Sequence, residues 1–234
     1  MSCHAIFVAE FTQKMVKEIL KQTRLYNWYL QRKFDKIDHK MYESALVSRS
    51  NFVDEYIPKG TVGAELGVLK GNFSKVLLDI SRPMKLYLVD PWYLLGSRWS
   101  WADGNQSTVD ALIRVIRKFK SEIENRQIEV IIGDDLKFLA GLSDESLDWV
   151  YLDSSHDYEH TVKELELLMF KVKKNGVIAG DDWRIDESHK HHGVAKAVKE
   201  FVSKYDYEVI YSNESNLQWA VKARTTNRVQ KITF

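Results

Sequence analysis

A chain of 234 residues with a formal net charge of +1 can build one good-sized core or a small pair of domains, and it offers no bulk charge for gripping nucleic acid or another polyanion. Its single cysteine, Cys3, excludes an internal disulfide and a cysteine-rich zinc site, and it fits a reducing compartment. The apolar opening "AIFVA" is shorter than the roughly 7–15 residues of a secretory signal core. No run approaches the roughly 20 apolar residues of a membrane span, so a cytoplasmic location is expected.

Residues 9–56 are rich in helix formers and lack glycine and proline, which predicts two or more helices closed by Pro58-Lys59-Gly60. Residues 1–58 therefore read as a helical extension. Its aromatic group (Tyr26, Trp28, Tyr29, Phe34) suits packing on the main domain, a homodimer contact or a substrate wall. From 59 to 223 the pattern changes. Short β-like runs fall at 61–66, 85–89, 128–132, 147–152 and 176–180, separated by helical periods. One such period puts Val109, Leu112, Ile113, Ile116 and Phe119 on one apolar face, and another does the same for Val162, Leu165, Met169 and Val172. Strand alternating with helix implies a parallel α/β sheet covered on both faces. "DYEVIYS" and "LQWAVKA" are joined only by "NESN", too short for a crossover, so the last two strands should form an antiparallel hairpin. Residues 224–234 read as a tail.

In such a sheet the ligand crevice lies beyond the carboxyl ends of the strands. The first end is "GAELGVLKGNFS", where Gly67 and Gly71 let the backbone turn and approach a ligand, and Asn72 or Ser74 can cap the next helix. The spacing is G-x-x-x-G, not the G-x-G-x-x-G of a dinucleotide loop. Glu65 precedes it, and a carboxylate there would repel a diphosphate and attract a cationic cofactor. Asp90 ends the second strand and suits the two hydroxyls of a ribose. At the third end, Asp134 or Asp135 either meets an adenine amino group or caps the following helix. "DPWYLLGSRWSWADGN" then brings Trp92, Tyr93, Arg98, Trp99 and Trp101 to the crevice, as flat faces for a sugar or aromatic acceptor or as packing around the adenine.

"ELGVLKG" with its downstream acid, "GDD", "YLD" and the terminal hairpin resemble class I S-adenosylmethionine-dependent methyltransferases over roughly residues 60–222. "YLDSSHDYEH" followed by "NGVIAGDDW" is similar, more narrowly, to the small macrocin-type O-methyltransferases of sugars and glycosides. The resemblance implies a Rossmann-like seven-stranded sheet in the order 3-2-1-4-5-7-6 with the last strand antiparallel. It also implies methyl transfer to a hydroxyl of a saccharide or glycosylated small molecule, with Glu65, Gly67, Gly71 and Asp90 around the cofactor.

Asp153 and the Asp181-Asp182 pair end the fourth and fifth strands, which should be neighbours. Three carboxylates so close raise one another's pKa unless a cation neutralises them. Oxygen ligands suit Mg2+, Mn2+ or Ca2+ over zinc. In the macrocin-type enzymes a divalent metal binds acids that match these three positions, although the first of the pair is often Glu there. The alternative is that the acids cap helices, or that Asp153 holds the cofactor's ammonium. His156, three residues past Asp153, can take a hydroxyl proton near neutral pH, and the resemblance implies the role of general base for it. His189, His191 and His192 either border the substrate mouth or form a solvated loop before the helix "VAKAVKEFV". Four rival readings stand beside this one: a cephalosporin-hydroxylase-like enzyme on the same scaffold, a metal-independent small-molecule methyltransferase, a nicotinamide-dependent dehydrogenase, and a non-catalytic chain that binds the cofactor for stability.

Overall fold

A computed structural model of the protein describes residues 43, 47, 49–94 and 106–224. The chain divides into two compact units, Met1–Ser44 and Ala45–Phe234. The first lies outside the described residues apart from Glu43, and with it the expected aromatic group at Tyr26, Trp28, Tyr29 and Phe34. Arg98, Trp99, Trp101 and the tail from 225 also fall outside them.

The second unit opens with helix α1 (49–56), followed by β1 (Val62–Leu66), α2 (Asn72–Ser81), β2 (Lys85–Asp90), α3 (Gln106–Lys118), α4 (Lys120–Glu124), β3 (Ile128–Ile132) and α5 (Asp135–Gly141). β4 (Leu147–Leu152), α6 (Tyr158–Lys171), β5 (Val172–Gly180), α7 (His192–Lys204), β6 (Tyr207–Asn213) and β7 (Gln218–Ala223) complete it. The seven strands pair in the order β3-β2-β1-β4-β5-β7-β6. β7 runs antiparallel to both β5 and β6, as the short "NESN" link requires. The central strands are apolar on both sides because helices cover both faces; Ala64, Leu66, Leu88, Val89, Val150, Leu152 and Ile178 are all buried.

α1 belongs to this core. Phe52, Val53 and Ile57 are buried, and the Phe52 ring lies against Tyr56, Tyr151 and Tyr211. The residues read from sequence as an extension thus include a helix packed onto β4 and β6. α3 corrects a second expectation. Its buried face is Thr108, Ala111, Leu112 and Val115, continued by Phe119 just past its end, whereas Val109, Ile113 and Ile116 are exposed. Small Ala111 and the hydroxyl-bearing Thr108 carry little weight in an apolar count, and that turned the expected face through part of a revolution.

Register aligns the carboxyl ends. Leu66 pairs with Val89 on one side and Leu152 on the other, and Leu152 pairs with Gly180. The residues that follow, Gly67, Asp90, Asp153 and Asp181, therefore emerge along one rim.

Candidate active site

The rim begins with the turn after β1. Gly67 has φ +92°, and a Cβ there would lie 1.9 Å from the Asp153 carbonyl oxygen. Only glycine permits so close an approach, and it places this glycine loop directly against the start of the acid cluster. The Gly67 N–H donates to the Val89 carbonyl at 2.9 Å, and the Asp153 N–H to the Leu66 carbonyl at 2.7 Å, which fixes both sides of the contact. Gly71, with φ +66°, is itself the N-cap of α2, and no side chain caps that helix. Neither Asn72 nor Ser74 fills the expected role: Asn72 Oδ1 accepts from Lys118 Nζ, and Ser74 is buried.

Asp90 is directed back at this loop. Its Oδ2 accepts from the Val68 and Leu69 N–H groups, each at 2.9 Å, and its Oδ1 from the Trp92 N–H at 2.7 Å. Three of the roughly four acceptor positions of a carboxylate are thereby used within the protein. Trp92 is fully buried and donates its indole N–H to the Leu69 carbonyl, so it braces the loop instead of facing an acceptor. Tyr93 is exposed. Glu65 is 1% exposed, and its Oε2 has no partner among the described residues. Burial holds its carboxyl well above the usual range.

Farther along, Asp134 caps α5 by accepting from the Lys137 N–H at 3.0 Å. Asp135 instead receives His160 Nε2, 2.9 Å from both carboxylate oxygens, beside buried Glu164.

The acid cluster forms as the strand order requires, and it is threaded with side chains that carry no sequence signature. Asp182 Oδ2 is bonded to His156 Nδ1 and to His191 Nδ1 at 2.7 Å, and Oδ1 accepts from Arg184 Nε at 3.2 Å. The two imidazoles stack with centroids 4.9 Å apart. Against the effect of burial, these bonds hold Asp182 well below the usual carboxylate range. Burial pulls the His156 imidazole down, but its bond to Asp182 and the Asp153 charge prevail and raise it. His156 Nε2 lies 3.5 Å from Asp153 Oδ1. Burial and the Asp181 carboxylate push Asp153 up to about 7, opposed by His156 and Arg49. Arg49 of α1 donates through Nη2 to Asp181 Oδ2 at 2.6 Å, with Nη1 3.9 Å from Asp153 Oδ2. Asp181 Oδ1 accepts from Gln218 Nε2 at 2.8 Å, and Gln218 Oε1 accepts from the Tyr151 hydroxyl at 2.5 Å.

His156 and Asp182 both sit at left-handed φ, +60° and +61°, as do Leu69 and Trp92 in the neighbouring loops. Such conformations cost about 1–3 kcal/mol each for a non-glycine residue and persist where the surroundings overdetermine them. The strain therefore falls on the residues that present Asp182 and His156 to each other.

The three acids do not assemble an oxygen-only cation site as placed. Both oxygens of Asp181 and both of Asp182 are already bonded to protein donors, and a guanidinium lies between Asp181 and Asp153. Among the described residues the groups whose ligand atoms converge within 4.8 Å are His156, Asp182 and His191, and Asp135, His160 and Glu164. Both include imidazole nitrogen, unlike the all-oxygen shell that Mg2+ favours. A cleft of about 420 Å3 lined by Pro58, Asp148 and Lys173 lies at the amino ends of the strands and contains none of these groups.

Residues 64–183 match the family model described as a methyltransferase domain. The chain belongs to the methyltransferase-domain family. With its seven-stranded order and antiparallel last strand, it is an enzyme of the S-adenosylmethionine-dependent methyltransferase class. No curated protein matches it significantly. Solved structures similar to this methyltransferase share its fold at low identity. One is a protein from Corynebacterium glutamicum, with TM-score 0.57 and 11% identity, covering 94% of this chain and 99% of that one. A Methanococcus maripaludis protein assigned as an S-adenosyl-L-methionine-dependent methyltransferase has TM-score 0.55 and 14% identity, covering 85% and 93%. A SAM-dependent methyltransferase from Aquifex aeolicus has TM-score 0.52 and 16% identity, covering 80% and 95%. Among the methyltransferase's described residues, no helix is long and apolar enough to cross a membrane.

Proposed function

We propose that this methyltransferase acts on oxygen: it transfers the methyl group of S-adenosylmethionine to a hydroxyl of a saccharide or glycosylated small molecule, with His156 as general base. The observation that carries the reading is the pair formed by His156 and Asp182. Asp182 binds Nδ1 and so fixes the ring, leaving Nε2 turned toward Asp153 at the rim where the cofactor loop ends. That is the arrangement by which a carboxylate sets the tautomer of a catalytic imidazole. The hydroxyl oxygen attacks the sulfonium methyl, the C–O bond forms as the C–S bond breaks, and the hydroxyl proton passes to Nε2. The leaving group is neutral S-adenosylhomocysteine. In-line placement of the two reactants supplies much of the acceleration.

Glu65 and the glycine loop are assigned to the methionine end of the cofactor. A buried carboxylate oxygen without a partner is costly until a cation meets it, and the cofactor's ammonium is such a cation. Asp90 is assigned to the ribose through its remaining acceptor position, with Asp134 and Asp135 bordering the adenine end. The saccharide acceptor rests on the resemblance of "YLDSSHDYEH" and "NGVIAGDDW" to macrocin-type enzymes. That resemblance also implies Mg2+ at Asp153, Asp181 and Asp182, but these acids fit it poorly as placed, and no step is assigned to it.

The test is labelled methyl transfer to a panel of glycosides and simple alcohols, run with His156→Ala. The variant should bind S-adenosylhomocysteine in calorimetry like the parent and lose turnover. Undiminished turnover removes His156 from the mechanism, and transfer to amines in preference to hydroxyls removes the O-methyl assignment.

A further inference from the structure

We propose that Arg49 supplies, from within the chain, the positive charge that balances Asp153 and Asp181, so that the site works without a divalent ion. The activity side of this rests on the methyl-transfer reading above; the cation side does not.

Arg49 is held in place from two directions. Its guanidinium bonds Asp181 at 2.6 Å and reaches Asp153 at 3.9 Å, while its carbon centre lies 5.1 Å from the centroid of the Phe73 ring on α2. Its side chain is 20% exposed, so the pair is shielded from solvent more than a surface ion pair is. A guanidinium stays charged at any working pH and offers a planar array of donors suited to two carboxylates, so it provides a fixed charge that does not dissociate. Gln218 and the His156–His191–Arg184 set occupy the remaining oxygens of Asp181 and Asp182.

Charge balance points the same way. Arg49 and Arg184 already offset two of the three carboxylates, which leaves one negative charge. A dication added to that rim would bring surplus positive charge against Arg49 and against a sulfonium cofactor. Arg49 touches neither reacting atom and acts through Asp153 and Asp181, which makes it a positioning residue.

The test is Mn2+ uptake, followed by electron paramagnetic resonance near pH 8, for the wild-type chain, Arg49→Met, Arg49→Lys and Asp153→Asn. The expected result is that wild type takes up Mn2+ no better than Asp153→Asn, whereas Arg49→Met gains one site per chain, binding about tenfold more tightly or better. Arg49→Lys, which restores the charge, should lose that site again. Equal uptake by wild type and Arg49→Met, or a gain in neither, overturns the proposal. If Arg49→Met does not fold, a wild-type site that vanishes in Asp153→Asn overturns it, and matching weak uptake by those two proteins supports it. None of this needs an acceptor, so it stands apart from the substrate assignment. Once an acceptor is found, wild-type turnover should persist in EDTA; loss in EDTA with recovery in Mg2+ also overturns it.

Discussion

Replacing Gly67 by alanine tests how the glycine loop and the acid cluster are coupled. At φ +92° an alanine is strained, at about 1–3 kcal/mol for a non-glycine residue in so sparsely populated a region. The new Cβ would also lie 1.9 Å from the Asp153 carbonyl oxygen and 2.4 Å from its carbon. Neither is the tip of a flexible side chain, so backbone must move. The Gly67–Val89 and Asp153–Leu66 hydrogen bonds oppose that movement from both sides. Overpacking of this kind costs about 1–3 kcal/mol more, so a loss of about 3 kcal/mol is expected, a large fraction of a domain's stability. Urea unfolding followed by tryptophan fluorescence would measure it. Because relief requires Asp153 to withdraw from the loop, S-adenosylhomocysteine affinity should fall about tenfold or more in calorimetry. Gly133→Ala is the control: nothing lies within 4 Å of its Cβ position, and its effect should stay within about 0.5 kcal/mol. A Gly67→Ala protein that matches Gly133→Ala in both midpoint and affinity would refute the coupling.

Three further outcomes are expected. Asp182→Asn keeps the shape of the rim but frees His156 to turn; turnover should drop about 10²-fold or more with S-adenosylhomocysteine binding retained, and a drop of only a few fold would separate Asp182 from the chemistry. Since His156 must be neutral to act as base and its pKa is raised above 6.5, kcat/KM should climb with pH through a midpoint above that value, and a profile flat across neutrality would contradict the assignment. That midpoint belongs to the coupled His156–Asp153 system, not to one residue. His160 is raised to about 9, against burial, by Asp135, and Glu164 is raised to about 8 by burial and Asp135. His160 thus adds stability below about pH 6.5 that is lost as pH rises through 9, and ionising Glu164 removes stability over the window ending near 8. Unfolding free energy should therefore fall from pH 6.5 to 9, by up to about 3 kcal/mol for the imidazole, and His160→Gln should flatten the decline in denaturant titrations at each pH.

The parts that sequence made legible are those with short-range signatures. Short apolar runs set between helical periods located the strands, and a four-residue link identified the antiparallel end. Acids closing two neighbouring strands located the rim. What escaped lacks local pattern. Arg49 meets Asp181 from 132 residues away, on a helix whose amphipathic spacing says nothing about which charged residue will face the sheet. His191 is one of three histidines in four positions, and only the turn into α7 selects it for Asp182. Gln218 reads as an ordinary polar position in a strand, yet the Gly180–Trp219 pairing sets it beside Asp181. Asp134 and Asp135 are indistinguishable in sequence; the helix N-terminus takes the first and His160 the second.

The Gln218–Asp181 bond also has a consequence for biosynthesis. Gln218 opens β7, and β5, which leads into Asp181, is complete dozens of residues earlier in the chain. Until that final segment threads between β5 and β6, Asp181 lacks its amide donor and the sheet's edge stays open. A nascent chain should therefore form the glycine turn well before the acid cluster is complete, and turnover should wait until β7 is in place.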